Sequence, residues 1–146
     1  MEKIEIRSIK HNSKEYFKLV ELRDVILRKP LGLKFTDAQL EAENEQLHFG
    51  CFFQENLVGT FILVALDKTE LKIRQVAVDE ASQNKGVGLK MINFAMDFAK
   101  KNGFKKLTCH ARVNANGFWS KCEFEIVSEE FLEVGIPHFK MAKTVY

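Results

Sequence analysis

The sequence predicts an α+β domain built on a mixed, mostly antiparallel sheet with one parallel strand pair and about four flanking helices. Three observations predict it. Two apolar, aromatic-rich runs, 47–53 and 57–66, are split by Gln54-Glu55-Asn56 and read as a hairpin; a second turn at Lys68-Thr69-Glu70 extends it to a three-stranded meander. A strand, a glycine-bearing loop, a helix and another strand then follow over 71–111, a crossover unit whose two strands are parallel neighbours. The chain of 146 residues is 46% hydrophobic and 29% charged, enough for the core of a single domain, 1–146.

Lys3 to Ile9 alternates, with Ile4 and Ile6 opposite Glu5 and Arg7, as a half-buried strand does. Asn12 and Glu15 have capping-box spacing, and Tyr16, Leu19, Val20, Arg23, Ile26 and Leu27 then form one helical face that should end before Pro30. A short helix spans 36–44, capped by Thr36 or Asp37. In the strand 71–78 the apolar positions change parity: Leu71 and Ile73 are odd, Val76 and Val78 even. A β-bulge near Arg74-Gln75-Val76 produces such a slip, and burial on both faces is the alternative. Val87, Met91, Ile92, Ala95, Phe98 and Ala99 make one face of a helix ending at Asn102-Gly103. Leu107, Cys109 and Ala111 alternate as a strand, a short helix covers 114–121, and two strands lie near 124–127 and 139–145.

A net charge of +2 gives no field that argues for nucleic acid or an anionic membrane. No apolar run approaches the roughly 18 residues that span a bilayer, and the opening Met1-Glu2-Lys3-Ile4-Glu5 is not a signal peptide. Cys51, Cys109 and Cys122 are odd in number and widely spaced, which suits reduced thiols and a cytoplasmic location. Neither they nor the four histidines have metal-ligand spacing, so no metal is expected.

The loop Gln83-Asn84-Lys85-Gly86-Val87-Gly88 opens directly into a helix. Glycines permit close backbone approach, and the helix's unpaired N–H groups favour an anion, so the stretch reads as a phosphate cradle. It is not a P-loop, because Leu89-Lys90 follows Gly88 where a Lys-Ser/Thr pair is needed. It is not the dinucleotide fingerprint either: Met91 stands at the third glycine and the loop follows an antiparallel meander.

The Gln83-x-x-Gly86-x-Gly88 pattern, after a strand ending Val76-Ala77-Val78-Asp79, resembles the Gln/Arg-x-x-Gly-x-Gly/Ala motif of the GNAT acetyltransferases. The order of elements is similar throughout. His110-Ala111-Arg112, Ala115, Phe118-Trp119 and Phe124 resemble the HAR-x-x-A-x-x-F-Y-x-x-x-G-F pattern of the ElaA-like branch, and 129–138 resembles its EEFLEDGIPH segment. Leu27-Arg28-Lys29-Pro30-Leu31-Gly32 is similar to LR-x-PLG of related GNAT proteins. The resemblance implies the acyl-CoA N-acyltransferase fold, in which the parallel pair is splayed, and an acetyl-CoA-dependent N-acetyltransferase acting directly on an amine of a small molecule or peptide.

It further implies that Gln83, Asn84, Lys85, Gly86, Val87 and Gly88 hold the CoA pyrophosphate. A bulge would leave backbone N–H groups of Val76, Ala77 and Val78 to the pantetheine and the thioester carbonyl, with Asn114 and Phe118 also on the cofactor. Lys85 can equally be a solvated loop lysine. Trp119 stands where the family's acid tyrosine follows Phe, and Glu123 where it has glycine; an indole N–H is a donor but no practical acid, so Trp119 is expected to wall the cofactor. The candidate bases are His110, His138 and Glu130, with hydrogen bonding within the fold as the alternative for each histidine. Glu129, Glu130 and Glu133 either attract a cationic amine or form a solvated acidic turn. Cys109 and Cys122 could suggest a thiol nucleophile, but neither has a recognisable base and orienter, so core packing is expected. A non-catalytic acyl-CoA-binding or sensing protein is the rival reading, and a homodimer through the meander or the C-terminal strands is a further expectation.

Overall fold

The structure is a computed structural model that describes residues 3–145; Met1 and Glu2, part of the opening stretch read above, lie outside them. Eight strands form a mixed sheet, and the chain folds as two compact units. The first holds residues up to Leu63 with Gln75–Met91, the second Val64–Arg74 with Ile92 onward.

In the first unit β1 (Glu5–Ile9) pairs antiparallel with β2 (Leu47–Phe53), which pairs antiparallel with β3 (Asn56–Ala65). Gln54 (φ 50°) and Glu55 (φ 66°) are both left-handed, so a two-residue hairpin turn replaces the expected three-residue one and Asn56 joins the strand. Helix α1 (Lys14–Arg23) is capped by Ser13, whose hydroxyl accepts the Tyr16 N–H at 3.2 Å. Asn12 is left-handed (φ 64°) and cannot take the capping role its spacing suggested. Helical backbone also runs past Pro30, through a wide turn at Asp24–Arg28 and a tight turn at Lys29–Leu31. Proline occupies the start of that tight turn, where its missing N–H would have had no partner. Helix α2 (Asp37–Glu41) carries a full capping box between Thr36 and Gln39.

Strand β4 (Glu70–Val78) and helix α3 (Val87–Lys101) each begin in one unit and end in the other. Gln75 is left-handed (φ 53°), but the covered positions Leu71, Ile73 and Ala77 keep one parity, so the expected phase slip of the buried face does not occur. The residue buried beyond it is Ala77, whereas Val76 and Val78 are only half-buried. Alanine is too small to register in a hydrophobic pattern, yet it fills the covered position.

In the second unit β4 pairs parallel with β5 (Lys106–Arg112), but only over Glu70↔Lys106, Leu71↔Leu107 and Lys72↔Thr108. Among the described residues the two strands pair with each other no further, although both continue. β5 pairs antiparallel along its whole length with β8 (Ile136–Thr144), to which β6 (Glu125–Ile126) and β7 (Phe131–Glu133) are also antiparallel. Helix α4 (Asn116–Lys121) follows a tight turn at Val113–Ala115. Gly103 (φ 78°) ends α3 and lets the Phe104 N–H donate to the Ala99 carbonyl at 2.9 Å. No helix among the described residues is long and apolar enough to cross a membrane.

The strand β7 is absent from the pattern reading because its turn carries Val134-Gly135 and not a recognisable Asn-Gly or Asp-Gly. Val134 is nonetheless left-handed (φ 47°), an unfavourable state for a β-branched residue. The ElaA-like segment has Asp there, which tolerates this conformation. Val134→Asp is therefore expected to stabilise the protein by about 1 kcal/mol, read from chemical denaturation; equal or lower stability would refute the strain.

Candidate functional site

The cradle lies wholly in the first unit. After Val78 a tight turn at Glu80–Ser82 leads to extended Gln83 (φ −68°, ψ 153°), left-handed Asn84 (φ 63°) and left-handed Gly86 (φ 87°). The Gln83 amide donates to the Val78 carbonyl at 3.0 Å and ties the loop to the strand end. The Gly86 carbonyl accepts from Lys90 N–H at 3.1 Å, so Gly86 is the cap of α3. A serine or aspartate cap would satisfy the first helical N–H groups with its own oxygen; glycine has none and leaves them without a side-chain cap. A Cβ on Gly86 would meet nothing within 4 Å, so it is the left-handed backbone and not packing that asks for glycine here. Gln83, Asn84 and Lys85 are exposed, Gly88 is half-buried, and Val87 is buried and anchors the helix. Beneath it Gly59 permits close approach, since a Cβ there would lie 2.5 Å from Met91 Cε. The Asp79 N–H is taken by the Val58 carbonyl at 2.8 Å.

The second unit gathers His110, Glu133, His138 and Lys72. Glu133 Oε1 is 2.9 Å from His110 Nδ1, and its Oε2 is 3.7 Å from His138 Nε2. Lys72 Nζ is 3.3 Å from His110 Nδ1. The Phe131 ring lies edge-on to His110 at 5.0 Å and stacks with His138 at 6.0 Å. Burial pushes the Lys72 ammonium below its usual value, with Glu133 acting in opposition. Burial raises the Glu133 carboxyl, but its hydrogen bond to His110 and the charges of His110, His138 and Lys72 more than offset this, leaving it lowered. One strand row away, Glu70 accepts from Thr108 at 2.8 Å and pairs with Lys140 at 3.0 Å.

Of the three candidate bases the structure brings together two. Glu130 is exposed and takes no part in this cluster. Asn114 is exposed in the turn before α4, and Phe118 is 37% exposed on it. Trp119 is buried, edge-on to Phe118 at 5.3 Å and to Phe124 at 5.1 Å. Glu123 is left-handed (φ 71°), which gives the physical reason for glycine at that place in the ElaA-like pattern. Sequence reasoning missed Lys72; the parallel register Lys72↔Thr108, which puts it near His110, was the signal that could have found it. Cys51, Cys109 and Cys122 are unpaired and buried; burial pushes the thiols of Cys51 and Cys109 up to about 12 and raises that of Cys122.

The fold is shared with solved structures across the whole chain. A candidate N-acetyltransferase from Lactobacillus plantarum superposes with a TM-score of 0.85 at 17% identity, covering 98% of this chain and 99% of that one. A GNAT family acetyltransferase from Elizabethkingia anophelis, solved with acetyl-CoA bound, gives 0.76 at 17% identity, covering 99% of each chain. ElaA of Escherichia coli gives 0.79 at 20% identity, over 97% of this chain and 99% of that one. The protein YyaT of Bacillus subtilis (strain 168) is 28% identical over 74 residues, 51% of this chain, and the match spans about half of YyaT, 50%. The acetyltransferase (GNAT) domain family matches residues 31–145, from the end of the first helical segment through the last strand. With a glycine-capped cradle, a parallel β4–β5 pair and that match in place, the chain belongs to the GNAT acetyltransferase family.

Proposed function

We propose that this chain passes an acetyl group from acetyl-CoA directly to the amine of a small molecule or peptide, with no covalent enzyme intermediate. Its family makes it an N-acetyltransferase that draws on acetyl-CoA. The observation that carries the reading is the glycine-capped start of α3, whose open N–H groups suit a pyrophosphate. In this reading Gln83 to Gly88 hold the pyrophosphate with Lys85 adding charge. Val76 to Val78 serve the pantetheine and the thioester carbonyl, and Asn114 and Phe118 contact the cofactor.

Direct transfer is supported by the thiols, which are buried and held neutral and so make poor nucleophiles. His110 serves as base: its side chain is 29% exposed, against 5% for His138. Reduced thiols suit the cytoplasm, and a second copy of the chain is a partner to look for. The rival, an acyl-CoA binder without turnover, is favoured by one observation: Trp119 is packed between aromatic rings where the family has an acid tyrosine.

The test compares acetyl-CoA binding with CoA thiol release in the presence of a polyamine, an amino acid, an aminoglycoside and a peptide amino terminus. Turnover with at least one class is expected. Binding with no release on any amine would favour the rival, and nucleotide binding in place of CoA would sink both.

A further inference from the structure

His110 Nδ1 faces two groups that make opposite demands. Glu133 Oε1, at 2.9 Å, is a carboxylate oxygen that can only accept; Lys72 Nζ, at 3.3 Å, is an ammonium that can only donate. One ring nitrogen cannot satisfy both. The carboxylate contact is the shorter and is charge-assisted, while burial disfavours the Lys72 ammonium. The proton therefore sits on Nδ1 and is donated to Glu133, leaving the lone pair on Nε2. His138 is settled by the same reasoning. Its Nδ1 is 2.7 Å from the Ile136 carbonyl, so that nitrogen carries the proton and His138 is tied to the backbone. With its side chain only 5% exposed, it stacks on Phe131 and is not open to an acceptor.

We propose that Glu133 is a positioning residue that holds His110 as its Nδ1–H tautomer, so that Nε2 is the base for the acceptor amine. This rests on the direct-transfer reading and on His110 as base. In the reaction Nε2 takes one proton from the acceptor ammonium. The amine nitrogen then bonds to the acetyl carbon, the C–S bond breaks, and the second nitrogen proton goes to the CoA thiolate. The proton on His110 returns to water. An imidazole in the other tautomer presents an N–H to the ammonium and cannot begin this sequence.

The test is imidazole nitrogen NMR of the full chain, with His110→Ala used to assign the resonances. Wild type is expected as the Nδ1–H form. Glu133→Gln, which keeps an accepting oxygen, should retain that form. Glu133→Ala should make the Nε2–H form dominant, as in a free histidine side chain, and lower kcat roughly a hundredfold or more with KM for acetyl-CoA unchanged. An unchanged tautomer in Glu133→Ala overturns the positioning role. Undiminished turnover in His110→Ala, on the amine from the panel that wild type acetylates fastest, overturns the base assignment and leaves the transferase reading standing.

Discussion

Gly86→Glu is expected to weaken acetyl-CoA binding by about a thousandfold, measured by calorimetry on a protein that remains folded. The added carboxylate would face the pyrophosphate from the cap of α3. Two like charges about 4 Å apart near a protein surface repel by about 4 kcal/mol, roughly three orders of magnitude in affinity. The fold should survive because a Cβ at this position meets nothing within 4 Å. The remaining cost is left-handed backbone at φ 87°, about 1–2 kcal/mol for a residue with a side chain. Gly86→Ala carries that cost without the charge and should bind within a few-fold of wild type. If Gly86→Glu bound as tightly as Gly86→Ala, the pyrophosphate would lie elsewhere.

Glu43→Ala is expected to cost about 3–5 kcal/mol of stability and to lower the melting temperature by roughly 10 °C. Arg23 and Glu43 are 1% and 2% exposed and form a two-point ion pair, Nη1 to Oε1 at 2.8 Å and Nη2 to Oε2 at 2.6 Å. The Tyr16 hydroxyl donates to the same Oε1 at 3.0 Å, and the Arg23 guanidinium lies 4.3 Å over the Phe35 ring. Burial and the Glu43 carboxylate both push the Tyr16 phenol up, so it stays a donor. Among the described residues Arg23 Nε already has no hydrogen-bond partner. Without Glu43 a buried cation is left uncompensated, which is the expensive outcome. Replacing both residues, Arg23→Met with Glu43→Leu, should recover most of the loss, since an apolar pair of similar volume often matches a buried ion pair. A melting temperature within two degrees of wild type in Glu43→Ala would show that solvent reaches Arg23.

Much of this architecture is legible because its signals are local. Glycine and turn residues mark the ends of α3 and the first hairpin, and alternation or helical spacing marks the covered faces of β1, β5 and α3. The loop from Gln83 to Gly88 is legible for the same reason, since its glycines and the helix start that follows are consecutive in the chain. Errors came where a local signal was weak or ambiguous. The spacing to Glu15 singled out Asn12 as the cap, whereas its left-handed backbone leaves that role to the neighbouring Ser13. Val134-Gly135 hides a hairpin behind a residue that does not advertise one.

The sequence by itself determined most of the order of elements, the glycine loop before α3 and the family, because each is written in neighbouring residues or in a contiguous motif. Tertiary structure alone decided which ionisable groups meet. Lys72, His110 and Glu133 are far apart in the chain and share no period. They converge because β5 and β8 pair in the register Arg112↔His138, β7 pairs back on β8 at Glu133↔Ile136, and the β4–β5 pairing stops at Lys72. Arg23 and Glu43 meet for a similar reason, with α1 and the turn after α2 placed so that one charge is buried only where the other can reach it. Local propensity does not say which charge will meet which, so a partner is visible only once the strands and helices are in register.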